Sequence, residues 1–230
     1  MRSFHNNQEI KDKYLARLRK HAELDNIIQG ICWENGKGCA VGCTLEDYDH
    51  EAYEAELGIP EWLAQLEDIL FEGMTSKDAK DFPILFLESI PLNKTIEDFE
   101  DIKFEFLEFI LDENIKKVKA IDTKESYKQE LLDAQELCRK YYHSRSEEDR
   151  EVAWSAAESA GVAAESAAES VAWSSAAESA AWSTWSAAAS VESIAESAAR
   201  AARAAWSAAA SVESVAYKRY ADKLIELLKG

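Results

Sequence analysis

The sequence predicts an all-α protein, with an N-terminal helical domain followed by a Ser/Ala/Trp-rich antiparallel helical bundle. Three observations carry this. Apolar residues recur at three- and four-residue spacing through most of residues 1–146. No proline interrupts residues 147–230, where alanine, the best helix former, dominates. The hydrophobic content of 47% is ordinary for a globular chain, which argues against wholesale disorder.

Taken in order, Ile10, Tyr14 and Leu18, then Leu24, Ile27 and Ile28, place one helix over residues 1 to about 30, with Gly30 as its stop. Residues 30–44 break the pattern as a Gly/Cys-rich turn, GICWENGKGCAVGCT, that holds four of the eight glycines and three of the four cysteines. Asn35-Gly36 is a strong turn signal because both residues tolerate positive φ. Thr44 with Asp47 resembles a capping pair that opens the next helix. Pro60 suits a first helical turn, Leu63, Leu66, Ile69 and Leu70 form one face, and Gly73 suits the exit. Thr75 caps a short segment before Pro83. The run ILFLESI fits a buried helix or a strand, and periodicity does not decide between them. Thr95 opens a helix whose face is Ile96, Phe99, Ile102, Phe106, Phe109 and Ile110. A further helix runs from roughly Lys124 to Tyr142, and Ser144-Arg145-Ser146 is the expected junction, giving domains 1–146 and 147–230.

The last third is repetitive. Ser recurs with an 11-residue spacing, as in Ser155 to Ser166 and Ser175 to Ser186, close to three helical turns. WSAAASVESIA at residues 185–195 returns as WSAAASVESVA at 206–216, with only Ile194 replaced by Val215. One continuous helix would be about 125 Å long at 1.5 Å per residue and would leave its tryptophans bare. The region is therefore expected to fold back on itself or to pair with another chain, with Gly161 as the break. The closing YKRYADKLIELLKG is an ordinary amphipathic helix that returns to the main core.

The formal net charge is −18, with 44 acidic against 26 Lys and Arg residues. A nucleic-acid backbone or an anionic membrane is therefore a disfavoured partner, although Arg17, Arg19 and Lys20 form a local basic group. No apolar run reaches the roughly 20 residues of a membrane span, and the first residues lack a signal-like stretch. The expected location is cytoplasmic, with the cysteines as thiols or ligands and not a disulfide framework.

The Gly/Cys-rich turn is the sharpest candidate site. Gly36, Gly38 and Gly42 free the backbone to aim N–H groups at an anion, and Lys37 adds a charge. The spacing is not that of a P-loop, and the same glycines would also serve a tight turn or close helix packing. The candidate ligand-contacting residues are Trp33, Asn35, Gly36, Lys37, Gly38, Cys39, Gly42, Cys43 and Thr44. Cys32, Cys39 and Cys43, with Cys138, offer thiolates for a metal, but C-x6-C-x3-C matches neither zinc-ribbon nor common ferredoxin patterns. His50, with Glu46, Glu54 and Asp47 at helical spacing, is a further possible metal face. No catalytic set is recognisable, and no cofactor is identified. Trp154, Trp173, Trp182, Trp185 and Trp206 are candidates for a partner or self-association surface.

SFHNNQEIKDKYLARLRKH, WENGKGCAVGCTLEDYDHEAYEAELGIPEWLAQLEDILFEGM, the Ala/Ser/Trp repeats and YADKLIELL together make the chain resemble a widespread family of proteins from bacteria and their mobile elements. That family carries no established activity, so the resemblance implies a recurring architecture and supplies no catalytic residue. The leading expectation is a non-enzymatic binding protein, oligomeric, that captures a small anionic or nucleotide-like ligand at the turn or a protein partner through the tryptophans. The alternatives are a thiol- or metal-dependent enzyme centred on Cys39, Cys43 and His50, and a self-assembling scaffold.

Overall fold

The computed structural model describes residues 1–120, 125–168 and 210–230. Among these the protein is all-α, with ten α-helices and one two-stranded hairpin. They divide into two compact units. The first joins Met1–Lys103 with Ser214–Gly230, and the second is drawn from Phe104–Glu213.

The first unit opens on a single turn, Ser3–Asn6, and not on a helix. Phe4, His5 and Asn6 have φ of 50°, 53° and 55°, a left-handed run that L-residues avoid. Tertiary contacts hold it: Phe4 is fully buried, and the Ser3 N–H donates to the Lys94 carbonyl at 2.9 Å. Helix α1 (Gln8–Glu23) then starts at Asn7, whose side chain accepts from the Glu9 N–H at 2.9 Å. It stops seven residues short of Gly30. Asp25 takes the left-handed conformation (φ 52°), its N–H donates to Ala22 O, and the Asn26 N–H donates to His21 O at 2.9 Å. That is a Schellman ending built on Asp instead of Gly. Ile27 and Ile28 consequently lie outside the helix.

Strands β1 (Trp33–Glu34) and β2 (Lys37–Gly38) pair antiparallel, Trp33 opposite Gly38. The chain then forms α2 (Ala40–Leu45), α3 (His50–Leu57), α4 (Glu61–Gly73), α5 (Ser76–Ala79) and α6 (Phe82–Ser89). Cys39 caps α2 and Asp49 caps α3, while Thr44 is buried inside α2, its hydroxyl donating back to Ala40 O at 2.9 Å. The expected Thr44 cap is thus displaced, because a helix already occupies that position. ILFLESI is helical, opening on Pro83 in the first turn of α6. Helices α1, α2, α4 and α6 pack on one another, with Leu18, Val41, Leu63, Leu66, Leu70 and Phe86 fully buried.

Helix α7 (Ile96–Ala120) opens on a reciprocal cap. The Thr95 N–H donates to Asp98 Oδ2 at 2.7 Å and the Asp98 N–H to Thr95 Oγ1 at 3.2 Å. Its residues 96–103 belong to the first unit. The last described helix, α10 (Ala210–Lys229), returns to that unit as its amphipathic spacing predicts, burying Tyr217, Tyr220, Ala221, Leu224 and Leu228 on one face. The Tyr217 ring lies directly over Gly73 at the end of α4, where a side chain would collide with it.

In the second unit, α8 (Glu125–Ser144) and α9 (Glu147–Ala168) form a helical hairpin. Ser144-Arg145-Ser146 makes the turn, with Arg145 left-handed (φ 53°) and Ser146 Oγ accepting from the Asp149 N–H at 3.2 Å. Arg139 of α8 forks across α7, reaching Glu108 at 3.1 Å and Asp112 at 2.6 Å. Gly161 does not break the chain, since α9 runs through it to Ala168.

Candidate functional site

Asn35 (φ 53°) and Gly36 (φ 77°) are both left-handed, the geometry of a two-residue type I′ hairpin turn. The hairpin folds onto α2. A Cβ on Gly38 or Gly42 would run into the Cys32 carbonyl, so those two glycines permit close backbone approach.

Three of the donors that the glycine-rich segment offers to an anion are taken up by neighbouring groups of the same unit. The Gly38 N–H donates to Asn26 O at 3.0 Å, the Cys39 N–H to Cys32 O at 3.2 Å, and the Gly42 N–H to Cys39 Sγ at 3.5 Å. Trp33 stands edge-on to the His21 ring at 5.5 Å, and the exposed Lys37 lies near the Asp25 carboxylate. Cys43 is buried, its thiol donating to Gly38 O at 3.3 Å, and burial pushes that thiol up to about 11. Cys138 belongs to the second unit, where burial raises its thiol to about 12.

The hairpin instead faces a polar cluster that local sequence does not announce. Asp68 of α4 accepts from the Tyr48 hydroxyl at 3.1 Å, and His50 Nε2 stands 3.6 Å from the same carboxylate oxygen. The Tyr48 and His50 rings meet edge-on at 4.9 Å. The Cys39 thiol donates to the Cys32 carbonyl at 3.5 Å, and Asp68 acts on it electrostatically. Burial first, then that carboxylate, holds the thiol well above its ordinary range. Tyr48 is raised for the same two reasons, burial leading, with the Cys32 and Cys39 sulfurs adding to the effect. One residue back on α4, Glu67 is wholly buried and accepts from the Tyr53 hydroxyl at 2.6 Å. Burial, with some repulsion from Asp68, pushes the Glu67 carboxyl well up against the lowering effect of Tyr53. His50 Nε2, Asp68 Oδ1, Glu67 Oε1 and Trp62 Nε1 are buried atoms without a hydrogen-bond partner among the described residues.

His50 opens α3, so Glu46 and Asp47 precede its helix and do not share a helical face with it. Its partner comes from α4. Among the described residues no group of three His, Cys, Asp or Glu side chains is placed to hold a metal ion. Of the candidate tryptophans, Trp154 lies on α9 and is 40% exposed, while Trp173, Trp182, Trp185 and Trp206 fall outside the described residues.

Sequence reasoning passed over Tyr48, Tyr53, Glu67 and Asp68. Glu67 carried a signal: Leu63, Leu66, Glu67 and Leu70 form a single i, i+3, i+4, i+7 stripe, with a carboxyl in an apolar row. Gln29 carried none. Its side-chain amide donates to Phe71 O at 2.8 Å and Met74 O at 2.9 Å, satisfying carbonyls at the end of α4 from 42 residues away in sequence.

No protein-family model, curated protein or solved structure matches this chain.

Proposed function

We propose that this is a non-enzymatic binding protein whose small ligand docks against Tyr48, His50 and Asp68, beside the Gly/Cys hairpin. The observation that carries the reading is the pair of unpartnered buried atoms, His50 Nε2 and Asp68 Oδ1, next to an exposed Tyr48. Leaving such groups unpaired costs roughly 1–3 kcal/mol each, a cost that a bound polar ligand removes. The local charge also selects the ligand. Asp68, with Glu72 close by, repels anions, and the Gly38 and Cys39 N–H groups that would offset this are already engaged. A small donor-bearing molecule, best a primary ammonium, suits Asp68 better than the nucleotide-like anion expected from the glycines.

Calorimetric titration of the full-length protein with small amines, polyols and nucleotides tests this. Amines are expected to bind, and Asp68→Asn to weaken them by at least about tenfold, the loss of roughly 1.4 kcal/mol. Binding of nucleotides in preference, undiminished by Asp68→Asn, would return the site to the glycine backbone.

A protein partner, or a second copy of this chain, is supported separately by the exposed indole of Trp154. Trp154→Ala lowers the size measured by light scattering if that indole holds the assembly together.

A further inference from the structure

We propose that Cys32 and Cys39 form a thiol–disulfide pair, a modification site that a low-molecular-weight disulfide oxidises and a low-molecular-weight thiol restores. The proposal rests on hairpin register and stands apart from the ligand reading. Trp33 pairs with Gly38 and Glu34 with Lys37, so the next pair outward is Cys32 with Cys39. The Cys39 N–H bond to Cys32 O at 3.2 Å confirms the step. Directly opposed residues of a hydrogen-bonded antiparallel pair have Cα atoms about 5.5 Å apart and side chains on the same face. That spacing falls within the roughly 4.4–6.8 Å spanned by disulfides. A second observation brings the Cys39 side chain to Cys32: its thiol donates to the Cys32 carbonyl at 3.5 Å, and both cysteines act electrostatically on the one Tyr48 phenol.

The two cysteines differ as an attacking and a resolving thiol should. Cys32 is exposed and meets the reagent, while Cys39 is buried behind it with its thiol turned to the Cys32 carbonyl. Cys32, as its thiolate, attacks one sulfur of the small disulfide. A new S–S bond forms, the old one breaks, and one thiolate leaves. Cys39 then gives up its proton, through solvent, to the first thiolate released and attacks the Cys32 sulfur of the mixed disulfide. The internal S–S bond forms, and the second small thiolate leaves and takes a proton. The protein loses two hydrogens and two electrons, and the small disulfide becomes two thiols. Cys43 is not part of the pair, because its thiol is turned toward the Gly38 and Asn26 carbonyls.

Full-length protein is equilibrated across ratios of reduced to oxidised glutathione, acid-quenched, unfolded, alkylated and peptide-mapped. The four alkylatable thiols are expected to fall to two, the missing pair mapping to Cys32 and Cys39, and to return with reduced glutathione. Cys39→Ser keeps a capping oxygen on α2 and is expected to stop at glutathione on Cys32. Cys32→Ser, at an exposed position, is expected to keep its remaining thiols. Glutathione that persists on Cys32 in the unmutated protein without an internal bond, or a link that maps to Cys43, would overturn the assignment.

Discussion

At the scale of the residue, Glu67 governs how the first unit responds to pH. Its carboxyl is wholly buried, faces Tyr53 and has Asp68 beside it, and its proton is held far more tightly than the ordinary value of 4.5. Below pH 4.5 both the folded and the unfolded chain carry that proton, and the buried neutral acid imposes no charge penalty. Above it the unfolded chain releases the proton while the folded one keeps it, so stability falls by about 1.4 kcal/mol per pH unit until the raised folded value is passed. Glu67→Gln keeps an acceptor for the Tyr53 hydroxyl and removes the titration. Urea unfolding at pH 4, 6 and 8 should show a variant close to the unmutated protein at pH 4 and more stable by at least about 1 kcal/mol at pH 8. Parallel stability curves for the two proteins would mean that Glu67 is ionised in the fold. The adjacent Asp68 has the opposite fate, turned toward Tyr48, His50 and the hairpin. Two carboxyls one residue apart thus serve different ends because successive helical positions point about 100° apart.

At the scale of the element, the hairpin and α2 form one assembly closed on the Cys32 carbonyl. Gly42→Ala places a methyl against that carbonyl, with Trp33 at its edge. Such overpacking typically costs about 1–3 kcal/mol, and here the loss should concentrate in the hairpin. Hydrogen exchange at the Gly38 and Cys39 amides is the measurement. Faster exchange there, with Leu18 and Leu70 amides unchanged, is the expected outcome, and uniform loss would make Gly42 a general core residue.

Elements whose ends are set by local chemistry were readable in the sequence: the Asn35-Gly36 turn, the Thr75 and Thr95 caps, Pro60 and Gly73 flanking α4. The end of α1 was not, because Asp25 supplies a left-handed residue where only Gly or Asn would have signalled one. The left-handed turn at Phe4 was equally hidden, since contacts with residues far along the chain impose it. The candidate site was half legible. Its glycines and cysteines stand out as a segment, whereas Asp68 meets His50 only because α3 and α4 pack together.

At the scale of the molecule, the first unit is assembled from chain segments separated by more than a hundred residues. Leu224 of α10 is fully buried, and Leu224→Ala should cost about 2–5 kcal/mol. The loss should register in the unit that carries the hairpin, read as a lower urea midpoint for Trp33 and Trp62 fluorescence. An unchanged midpoint would detach α10 from that core. By the same reasoning, a chain stopped at Ser146 lacks one side of its own first unit, so the effect of the repeats on assembly is better tested by substitution in full-length protein.

The divided first unit also bears on how the protein is born. When residue 103 leaves the ribosome, α1 through α6 are present but α10 is not, and Gly73 has no tyrosine ring above it. At ordinary rates of synthesis the missing helix arrives on the order of ten seconds later. Throughout that interval the end of α4 that the Tyr217 ring will cover stands bare on an unfinished core in the nascent chain.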